Sequence, residues 1–529
     1  MLARNPRALS TAIASARLFS SAAPSTSAAD PQTVAAASTA SCNGKHSLGR
    51  RLLRLVSPKK SAVRVIREWA EEGNRVHKHQ LSRVVKYLRL HQRYFHALQI
   101  CEWMSIQPSF KLSQGDYAIH LDLFAKVHGL VSAEKFLEGL PEGMRGQSTC
   151  NALLHTYVQN NTASKAEALM GKMSERGLLY CALPYNHMLK LYISNGHLNK
   201  VPWIMQELKK NACPDVLTYN LWLGACAKCD DVKGAEKIFL EMEERDINPD
   251  WLTYSTLATI YINGGSPKRA ATALKEMEKR ITPELRAGYC SLISLHAKMK
   301  NINEVNRLWG KMKSMFRKMS NVEYMCMLAS VMRLRESELA DNIYSEWESE
   351  SGSRDTRIVN TLLGFYIRYE TMDKAEGLFE RMVNRGINPC HYTWELLASG
   401  YLHKKRIDKA LDCLNKAQSC LKKWKPNDEL IRSVLNILEE QGHVRGADKL
   451  LTILRNAGCV TMSTHNSVLR IYAKAGLMHP TTVECMEKEN VQLDEETCQS
   501  INMTNKLSGG DESHCARNTE AERKRSEGN

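Results

Sequence analysis

Apolar residues in the middle of this chain recur at three- and four-residue spacing, in pairs of segments separated by a polar break. In residues 216–250, the first apolar segment contains Leu223 and the second contains Ile238, with the break at Asp230 and a stop at Pro249. This pattern predicts two helices joined by a turn. The same unit of 35 residues recurs in weakened form along most of the chain. A period of this length predicts an all-α solenoid of helix-turn-helix repeats rather than a globular domain.

Three columns set the register of the units when Val216 is taken as position 1. Position 20 is small, which lets the paired helices approach closely, whereas positions 4 and 27 are mostly bulky and apolar and fill the seams between units. The residues at position 20 are Ala166, Val201, Ala235, Ala270, Val305, Ala340, Ala375, Ala410 and Ala447.

This register divides the chain into predicted segments. The best-matched units are 147–181, 182–215, 216–250, 251–285, 286–320, 321–355 and 356–390. Degenerate repeats are predicted on either side, at 61–146, where residues 62–73 form a closing second helix, and at 391–494. Residues 30–60 are predicted to be a linker, and residues 495–529 a polar, disordered tail.

The first 29 residues have the composition of an organellar transit peptide. They contain Arg4, Arg7 and Arg17 with many Ser and Ala residues, and no acidic residue precedes Asp30. The segment 16–22 (ARLFSSA) resembles a mitochondrial processing site, so the mitochondrion is the predicted compartment and the chloroplast the alternative. Because no run of about 18 apolar residues occurs, no membrane span is expected.

The formal net charge of +16 suggests a polyanionic partner, but charges that only solvate helix faces would give the same sum. The sixteen Cys residues show no paired spacing. Cys226 and Cys229 form a CxxC, yet Cys226 falls on an apolar helix face and no second pair follows at zinc spacing. Many cysteines fall at core positions of helices, such as Cys290, Cys326 and Cys413, and are expected to be reduced, buried side chains. Neither a metal nor a cofactor is predicted.

Short motifs in these units resemble pentatricopeptide repeats. They include TYN at 218–220, TYS at 253–255, NPD at 248–250, a Lys at position 13, an Ala at position 20 and a Met at position 27. Tetratricopeptide repeats, with a period of about 34 residues and early Trp and Gly residues, fit less well because Tyr and small polar residues stand there. The succession of plain 35-residue units over residues 60–494 resembles the plant organellar P class of the pentatricopeptide family.

The resemblance implies a right-handed superhelix whose first helices line a basic groove for single-stranded RNA, with one base per repeat. In this family, positions 5 and 35 select the base, position 2 wedges between bases, and position 13 meets phosphate. An Asn with an Asp should favour uracil, because the carboxylate accepts a hydrogen bond from uracil N3–H, where cytosine presents only an acceptor.

Carried over to this chain, the resemblance implies three sets of residues. The predicted base-reading pairs are Asn151 with Cys181, Asn186 with Asp215, Asn220 with Asp250, Ser255 with Leu285, and Asn360 with Cys390. The predicted wedges are Leu183, Leu217, Leu252 and Val322, and the predicted phosphate partners are Lys228, Lys298, Arg333, Arg368 and Lys474. The implied target, from its 5′ end, is a pyrimidine, two uridines, a purine, two unassigned bases and a pyrimidine.

Several units depart from this pattern. The pairs Cys290 with Ser320 and Met325 with Asp355 specify no base, and Glu395 and Arg432 replace the reading residue of the next two units. Asn466 with Asp494 matches only if the shortened last unit keeps its register. Two other interpretations stay open: a single Lys or Arg at position 13 can be solvated helix surface, and Asn220 can be a helix cap.

Three functions are weighed against these residues. The first is a non-enzymatic protein that binds organellar single-stranded RNA and acts in transcript stability, processing, splicing, editing support or translation, with other organellar RNA-processing proteins as further partners. The second is an RNA enzyme, either a nuclease or an editing deaminase. A deaminase needs an HxE and a later PCxxC, and neither follows the repeats. A metal-dependent nuclease needs clustered Asp residues beyond the repeats, and none is found there, so an enzyme is not expected. The third is a protein scaffold whose groove binds a partner helix, an interpretation that the degenerate units after Met325 leave open for the C-terminal half.

Overall fold

The computed structural model describes residues 47–55, 60–350, 352, 354–369, 371–421 and 423–475. These residues contain 25 α-helices, two single turns of 3-10 helix and no β-strand, which confirms the predicted all-α fold. The predicted transit peptide, the tail 495–529 and Asp494 lie outside the described residues. No helix in the described part of the chain is long and apolar enough to cross a membrane.

The helices follow one another along the chain with short connections. Their bounds are α1 Leu48–Leu53, α2 Ala62–Glu71, α3 Lys78–Leu90, α4 Tyr94–Ile106, α5 Gln114–His128, α6 Leu130–Gly139, α7 Gln147–Gln159, α8 Ala163–Glu175, α9 Ala182–Ser194, α10 Val201–Asn211, α11 Val216–Cys229, α12 Val232–Glu244, α13 Trp251–Asn263, α14 Pro267–Arg280, α15 Arg286–Lys298, α16 Ile302–Met315, α17 Asn321–Leu334, α18 Ser337–Glu350, α19 Thr356–Tyr369, α20 Met372–Asn384, α21 His391–His403, α22 Ile407–Ser419, α23 Asp428–Gln441, α24 Val444–Ala457 and α25 Met462–Lys474. The 3-10 turns lie at Glu142–Met144 and Leu198–Lys200.

Contacts between helices divide the chain into two compact units. The first ends at Glu284 and contains α1–α14, and the second begins at Leu285 and contains α15–α25. Within each unit a first helix packs on its own second helix and on the first helix of the next repeat, as α11 does on α12 and α13. The same contacts link α5, α7, α9, α11 and α13 in the first unit, and α15, α17, α19, α21, α23 and α25 in the second. Each unit is therefore a stack of helical hairpins, the arrangement of a repeat solenoid.

The small residues at position 20 and the bulky residues at positions 4 and 27 lie in the core. Ala235 and Ala270 at position 20 are fully buried, as are Tyr219 at position 4 and Trp347 at position 27. A close-packed interior tolerates little change of volume, so a larger residue at position 20 would push the paired helices apart. The repeated spacing of these columns thus gives each hairpin the same packing geometry.

The last residue of a unit is the N-cap of the first helix that follows. Asp215 caps α11 and Asp250 caps α13, each with a carboxylate that accepts from the backbone N–H of a Thr at position 3. Cys390 occupies the same place before α21. Position 35 is therefore held in place by the start of the next helix.

Helix α2 covers residues predicted to close the N-terminal end, and α1 lies before it. Helix α1 packs on α2 and α3 and buries Leu48 and Leu52. At six residues, it is too short to show helical periodicity in the sequence, and the repeat register does not include it.

The cysteines of the described residues are all free thiols. Cys226 and Cys413 are buried, whereas Cys229 is exposed and Cys290 is half-buried. Burial raises the pKa of Cys226 to about 11, which keeps it a neutral thiol at physiological pH. No group of three or more His, Cys, Asp or Glu side chains able to hold a metal ion occurs in the described part of the chain.

Candidate nucleic-acid interface

The predicted base-reading Asn residues are buried in the first helices. Asn186 is 4% exposed and Asn220 is 8% exposed. Asn220 is the fifth residue of α11, well inside the helix, so its interpretation as a helix cap is wrong. The other reading residues at position 5 that are buried are Asn151, Ser255, Asn360 and Asn466. Their amides and hydroxyl therefore need hydrogen-bond partners within the protein.

Asn220 finds these partners at the junction with the next repeat. Its Nδ2 donates to Asp250 Oδ1 at 3.1 Å, and its Oδ1 accepts from the hydroxyl of Thr253 at 2.7 Å. Asp250 Oδ1 also accepts from the backbone N–H of Thr253 at 2.8 Å. The capping box of α13 and the reading pair therefore share one carboxylate oxygen.

The preceding repeat has the same arrangement. Asn186 Nδ2 donates to Asp215 Oδ1 at 3.1 Å, and Thr218 Oγ1 donates to Asn186 Oδ1 at 2.8 Å. Thr218 N donates to Asp215 Oδ1 at 2.8 Å. Asp215 itself is exposed, so the network has a buried amide at its base and a carboxylate at the surface.

Asn360 keeps the amide contacts but has a thiol in place of the carboxylate. Thr393 Oγ1 donates to Asn360 Oδ1 at 2.8 Å, and Asn360 Nδ2 lies 3.5 Å from Cys390 Sγ. Burial alone would raise the pKa of the Cys390 thiol, but hydrogen bonds from Thr393 and Asn360 outweigh it and lower that pKa below its usual range. Because a thiol sulfur is a weak hydrogen-bond acceptor, position 35 offers a weaker acceptor here than an Asp would.

Asn151 is not brought together with Cys181. Cys181 Sγ accepts from Gln147 Nε2 at 3.1 Å, and position 3 of the next repeat is Pro184, which has no hydroxyl. Asn151 Oδ1 is buried and has no hydrogen-bond partner among the described residues. Asn151 therefore lacks the contacts that fix the orientation of the amides of Asn186 and Asn220.

Ser255 and Leu285 differ from the other predicted pairs. Ser255 is 9% exposed within α13, and Leu285 is the half-buried N-cap residue of α15. The two belong to different compact units. Since Leu285 has an apolar side chain, it supplies no hydrogen-bond acceptor at position 35.

The units that depart from the pattern use these positions for contacts within the protein. Asp355 binds Arg357 at 2.6 Å and accepts from Asn321 Nδ2 at 3.0 Å. The Arg357 hydrogen bond is the main cause that lowers the pKa of Asp355. Glu395 accepts from Trp424 Nε1 at 2.7 Å, and Trp424 is only 1% exposed. The indole thus occupies one carboxylate oxygen at position 5 of the unit that begins at His391.

The predicted wedge residues divide into two groups. Leu183 is 42% exposed and Leu217 is 38% exposed, whereas Leu252 and Val322 are half-buried. Tyr392, at position 2 of the unit that begins at His391, is 44% exposed. Tyr392 is not among the predicted wedges, although it occupies their register position.

Most of the predicted phosphate partners are at the surface. Lys228, Arg333 and Arg368 are exposed, whereas Lys298 is half-buried. Burial, with a smaller contribution from the charge of Arg333, lowers the pKa of Lys298. Lys228 Nζ donates to the backbone carbonyl of Ile193 in the preceding first helix.

An exposed aromatic and basic cluster lies in the second unit. The guanidinium carbons of Arg335 and Arg368 are 5.2 Å and 5.9 Å from the ring centre of Tyr369, which is 47% exposed. Rings and cations at such distances attract one another and also suit a stacked base beside a phosphate.

Lys474, the phosphate partner predicted in the last repeat, is exposed and forms an ion pair with Glu439 at 3.1 Å.

Comparisons with known proteins identify the repeats. Family profiles match residues 214–263 (PPR repeat family), 168–229 (pentatricopeptide repeat domain) and 148–178, 288–315 and 357–387 (PPR repeat). A mitochondrial pentatricopeptide repeat-containing protein of Arabidopsis thaliana is 47% identical over 88% of this chain and 87% of its own length. A second pentatricopeptide repeat-containing protein of the same plant is 33% identical over 83% of this chain and 90% of its own length.

Solved structures show the same fold. The crystal structure of the pentatricopeptide repeat protein PPR10 from maize aligns with a TM-score of 0.52 and 17% identity, over 90% of this chain and 74% of that chain. PPR10 in complex with an 18-nt psaJ RNA element aligns with a TM-score of 0.51 and 17% identity, over 87% of this chain and 75% of that chain.

Proposed function

This chain belongs to the pentatricopeptide repeat family, and on that basis we propose that it binds single-stranded RNA and is not an enzyme. The maize protein PPR10, with which it shares its fold, has been solved in complex with an RNA element. The proposed activity is sequence-selective occupation of one strand, through which the protein acts in the stability, processing, splicing, editing or translation of an organellar transcript.

The observation that carries the proposal is the repeated pairing of an Asn amide with an Asp at the unit end. After its internal hydrogen bonds, Asn220 keeps one N–H and Asp250 keeps Oδ2 for a ligand. One donor beside one acceptor complements uracil, which presents O4 as an acceptor next to N3–H as a donor. Cytosine presents the opposite pair, an amino donor next to a bare N3.

The surroundings of these pairs suit a nucleic-acid strand. Leu183 and Leu217 precede the reading residues and expose apolar surface on which bases can pack. Exposed Lys228 and Arg333, at position 13 of their repeats, supply positive charge for the phosphates. The proposed target contains two adjacent uridines, bound by the repeats of Asn186 and Asn220.

The proposed compartment is the mitochondrion. The transit-peptide composition of residues 1–29 supports it, and so do relatives named as mitochondrial proteins, at 47% and 31% identity. A fluorescent protein fused after residue 60 tests the proposal. Mitochondrial fluorescence supports it, whereas chloroplast or cytosolic fluorescence contradicts it.

Selection of RNA from a random pool by the full chain tests the proposed base reading. The wild-type chain should enrich sequences with adjacent uridines. Asn186→Ala and Asn220→Ala should each weaken binding of an enriched RNA about tenfold, the effect of one hydrogen bond of roughly 1.4 kcal/mol. Their binding of an RNA in which cytosines replace the two uridines should change little.

A matched control is Asn211→Ala. Asn211 is exposed at the end of the second helix α10, where its Nδ2 donates to Tyr185 Oη at 3.0 Å. This variant should bind like the wild type. Base reading at these positions is contradicted if the wild type enriches no adjacent uridines, or if all three variants lose the same affinity.

Binding of a protein partner is the second candidate function, for the repeats after residue 390, because Trp424 already binds a carboxylate oxygen of Glu395 at the reading position. Other organellar RNA-processing proteins are the proposed class of partner. Cross-linking after ribonuclease treatment tests this candidate: protein cross-links that map to residues 391–475 support a scaffold there, and RNA cross-links at Glu395 contradict it.

A further inference from the structure

In three repeats, the Thr at position 3 places a buried hydroxyl against the Asn of the repeat before it. Thr218 and Thr253 are fully buried, and each hydroxyl lies within hydrogen-bond distance of two oxygens from the preceding unit. Thr253 Oγ1 is 2.7 Å from Asn220 Oδ1 and 2.9 Å from Asp250 Oδ1. Thr218 Oγ1 is 2.8 Å from Asn186 Oδ1 and 2.7 Å from Asp215 Oδ1.

These contacts allow only one orientation of the reading amide. A carboxylate accepts hydrogen bonds and donates none, so the NH₂ group of Asn220 must face Asp250. Thr253 Oγ1 accepts from the backbone N–H of Asp250 at 3.1 Å, and its one hydroxyl hydrogen lies within reach of both Asn220 Oδ1 at 2.7 Å and Asp250 Oδ1 at 2.9 Å. Turning the amide over would place Asn220 Oδ1 against the carboxylate and leave two acceptors without a proton between them.

The orientation determines which group faces the ligand. With Oδ1 occupied by the Thr hydroxyl, the group left on Asn220 is an N–H, which pairs with uracil O4 and opposes the amino group of cytosine. In the reversed orientation the amide would present an oxygen, which pairs with the amino group of cytosine. The Thr hydroxyl therefore adds to the orientation that the Asp250 carboxylate sets, and both contacts favour uracil over cytosine.

We infer that Thr218 and Thr253 are positioning residues that give the Asn of the preceding repeat its selectivity for uracil over cytosine. The inference rests on the proposed RNA binding. It makes the reading group a set of three residues: an Asn at position 5, an acceptor at position 35, and a Thr at position 3 of the next repeat.

Two other Asn residues at position 5, Asn360 and Asn151, lack part or all of this set. Asn360 has the Thr but a weaker acceptor, since Thr393 Oγ1 donates to its Oδ1 at 2.8 Å while Cys390 replaces Asp. Asn151 has neither, because Pro184 stands at position 3 of the next repeat and leaves Asn151 Oδ1 buried without a partner among the described residues. The Asn151 amide is thus free to take either orientation, and it should accept uracil and cytosine alike.

Thr218→Val and Thr253→Val remove the hydroxyl while keeping the shape of the side chain. Affinity of the full chain is measured for the selected RNA and for the RNA in which the two uridines are cytosines. Each Val variant should lower the ratio of uracil to cytosine affinity about fivefold, the effect of one hydrogen bond of ordinary strength. Thr218→Ser and Thr253→Ser, which keep the hydroxyl, should retain the wild-type ratio.

Two further variants separate positioning from stability, because the Val changes also weaken the caps of α11 and α13. In an Asn186→Ala background, Thr218→Val should change the ratio no further, since the residue it positions is gone. Thr149→Val is the control at the same position: its hydroxyl donates to the carbonyls of Met144 and Gly146, each at 2.9 Å, and it should leave the ratio unchanged.

Pro184→Thr tests the inference by gain. It gives Asn151 the environment that Thr393 gives Asn360, and should raise the preference for uracil at the base next to Asn151 about fivefold. The inference is overturned if the wild type selects uracil and the Val variants show the same ratio of uracil to cytosine affinity as the wild type. It is also overturned if Pro184→Thr leaves that ratio unchanged. A wild type without uracil selection instead overturns the proposed base reading itself.

Discussion

The phenol of Tyr192 donates a 2.9 Å hydrogen bond to Glu167, which belongs to the second helix of the preceding repeat. Lys200 binds the same carboxylate at 2.6 Å, so one acid joins two consecutive repeats. Tyr401 repeats this contact with Glu376 at 2.7 Å, and Lys409 lies 3.6 Å from that carboxylate. The same Tyr–acid pairing recurs at Tyr157 with Glu134, Tyr366 with Asp341, and Tyr472 with Asp448.

Tyr192→Phe should lower the free energy of unfolding by about 1 kcal/mol, the net contribution of one hydrogen bond. Burial, and next the hydrogen bond to Glu167, raise the pKa of Tyr192, so the lost contact is that of a neutral phenol at physiological pH. Urea titration followed by circular dichroism measures the change. Tyr180→Phe, at a side chain that is 64% exposed, should leave the midpoint unchanged. Equal shifts for both variants would contradict a role of this contact in joining the repeats.

The repeat period predicts the helices well, because it depends on local properties of the sequence. The residue taken as position 1 of the unit 216–250 is the first residue of α11. The apolar columns occupy the core, as Tyr219 and Ala235 show. Helix starts and core faces follow from capping residues and periodicity within about 35 residues, which a single sequence contains.

The contacts of the reading residues could not be predicted in this way. Asn220 is recognised by its register position, yet its burial and its bond to Thr253 depend on how consecutive repeats stack. The hydrogen bond from Trp424 to Glu395 joins residues 29 positions apart. A fixed register gives the spacing of such residues but not whether their polar atoms meet, and that depends on the orientation of each side chain.

The hydrogen bond from Trp424 to Glu395 predicts where the RNA-reading surface ends. Asn360→Ala should weaken RNA binding about fivefold, because it removes a hydrogen-bonding group. Glu395→Gln should leave RNA affinity unchanged, because its carboxyl oxygen already accepts from the buried indole. Binding of the selected RNA by each variant measures the difference. A change at Glu395 as large as that at Asn360 would place the reading surface beyond residue 390.

His120 predicts a loss of stability in mild acid. Its ring is buried, 4.6 Å from the ring of Phe136, and neither ring nitrogen has a hydrogen-bond partner among the described residues. Burial lowers its pKa to about 4, against roughly 6.5 in the unfolded chain. Below about pH 6.5, His120 binds a proton in the unfolded chain but stays neutral in the folded protein. The free energy of unfolding therefore falls as the pH approaches 4.

The expected loss from His120 is at most about 1.4 kcal/mol per pH unit over this window. His120→Leu should reduce the difference between the unfolding midpoints at pH 7 and pH 5, because Leu binds no proton. His79→Leu, at an exposed position, should leave that difference as in the wild type. If His120→Leu shows the full wild-type difference, other groups cause the acid sensitivity.

Phosphate contacts at position 13 predict a specific dependence on salt. Arg333 and Arg368 are exposed, and neutralising one phosphate of a single strand contributes a slope of about −0.7 to log affinity against log salt concentration. Arg333→Gln and Arg368→Gln should each make the slope shallower by about 0.7. They should weaken all RNA sequences alike, since phosphate contacts read no base.

The control for this effect is Lys279→Gln. Lys279 is an exposed residue of the second helix α14 and pairs with Glu276 at 2.7 Å. It has the charge of a position-13 residue but lies on the helix that does not carry the reading residues, so its loss should leave the slope unchanged. Equal slopes for Arg333→Gln, Arg368→Gln and the wild type would show that these residues only solvate the helix. Equal decreases for all three variants would indicate that net charge alone, rather than position 13, holds the strand.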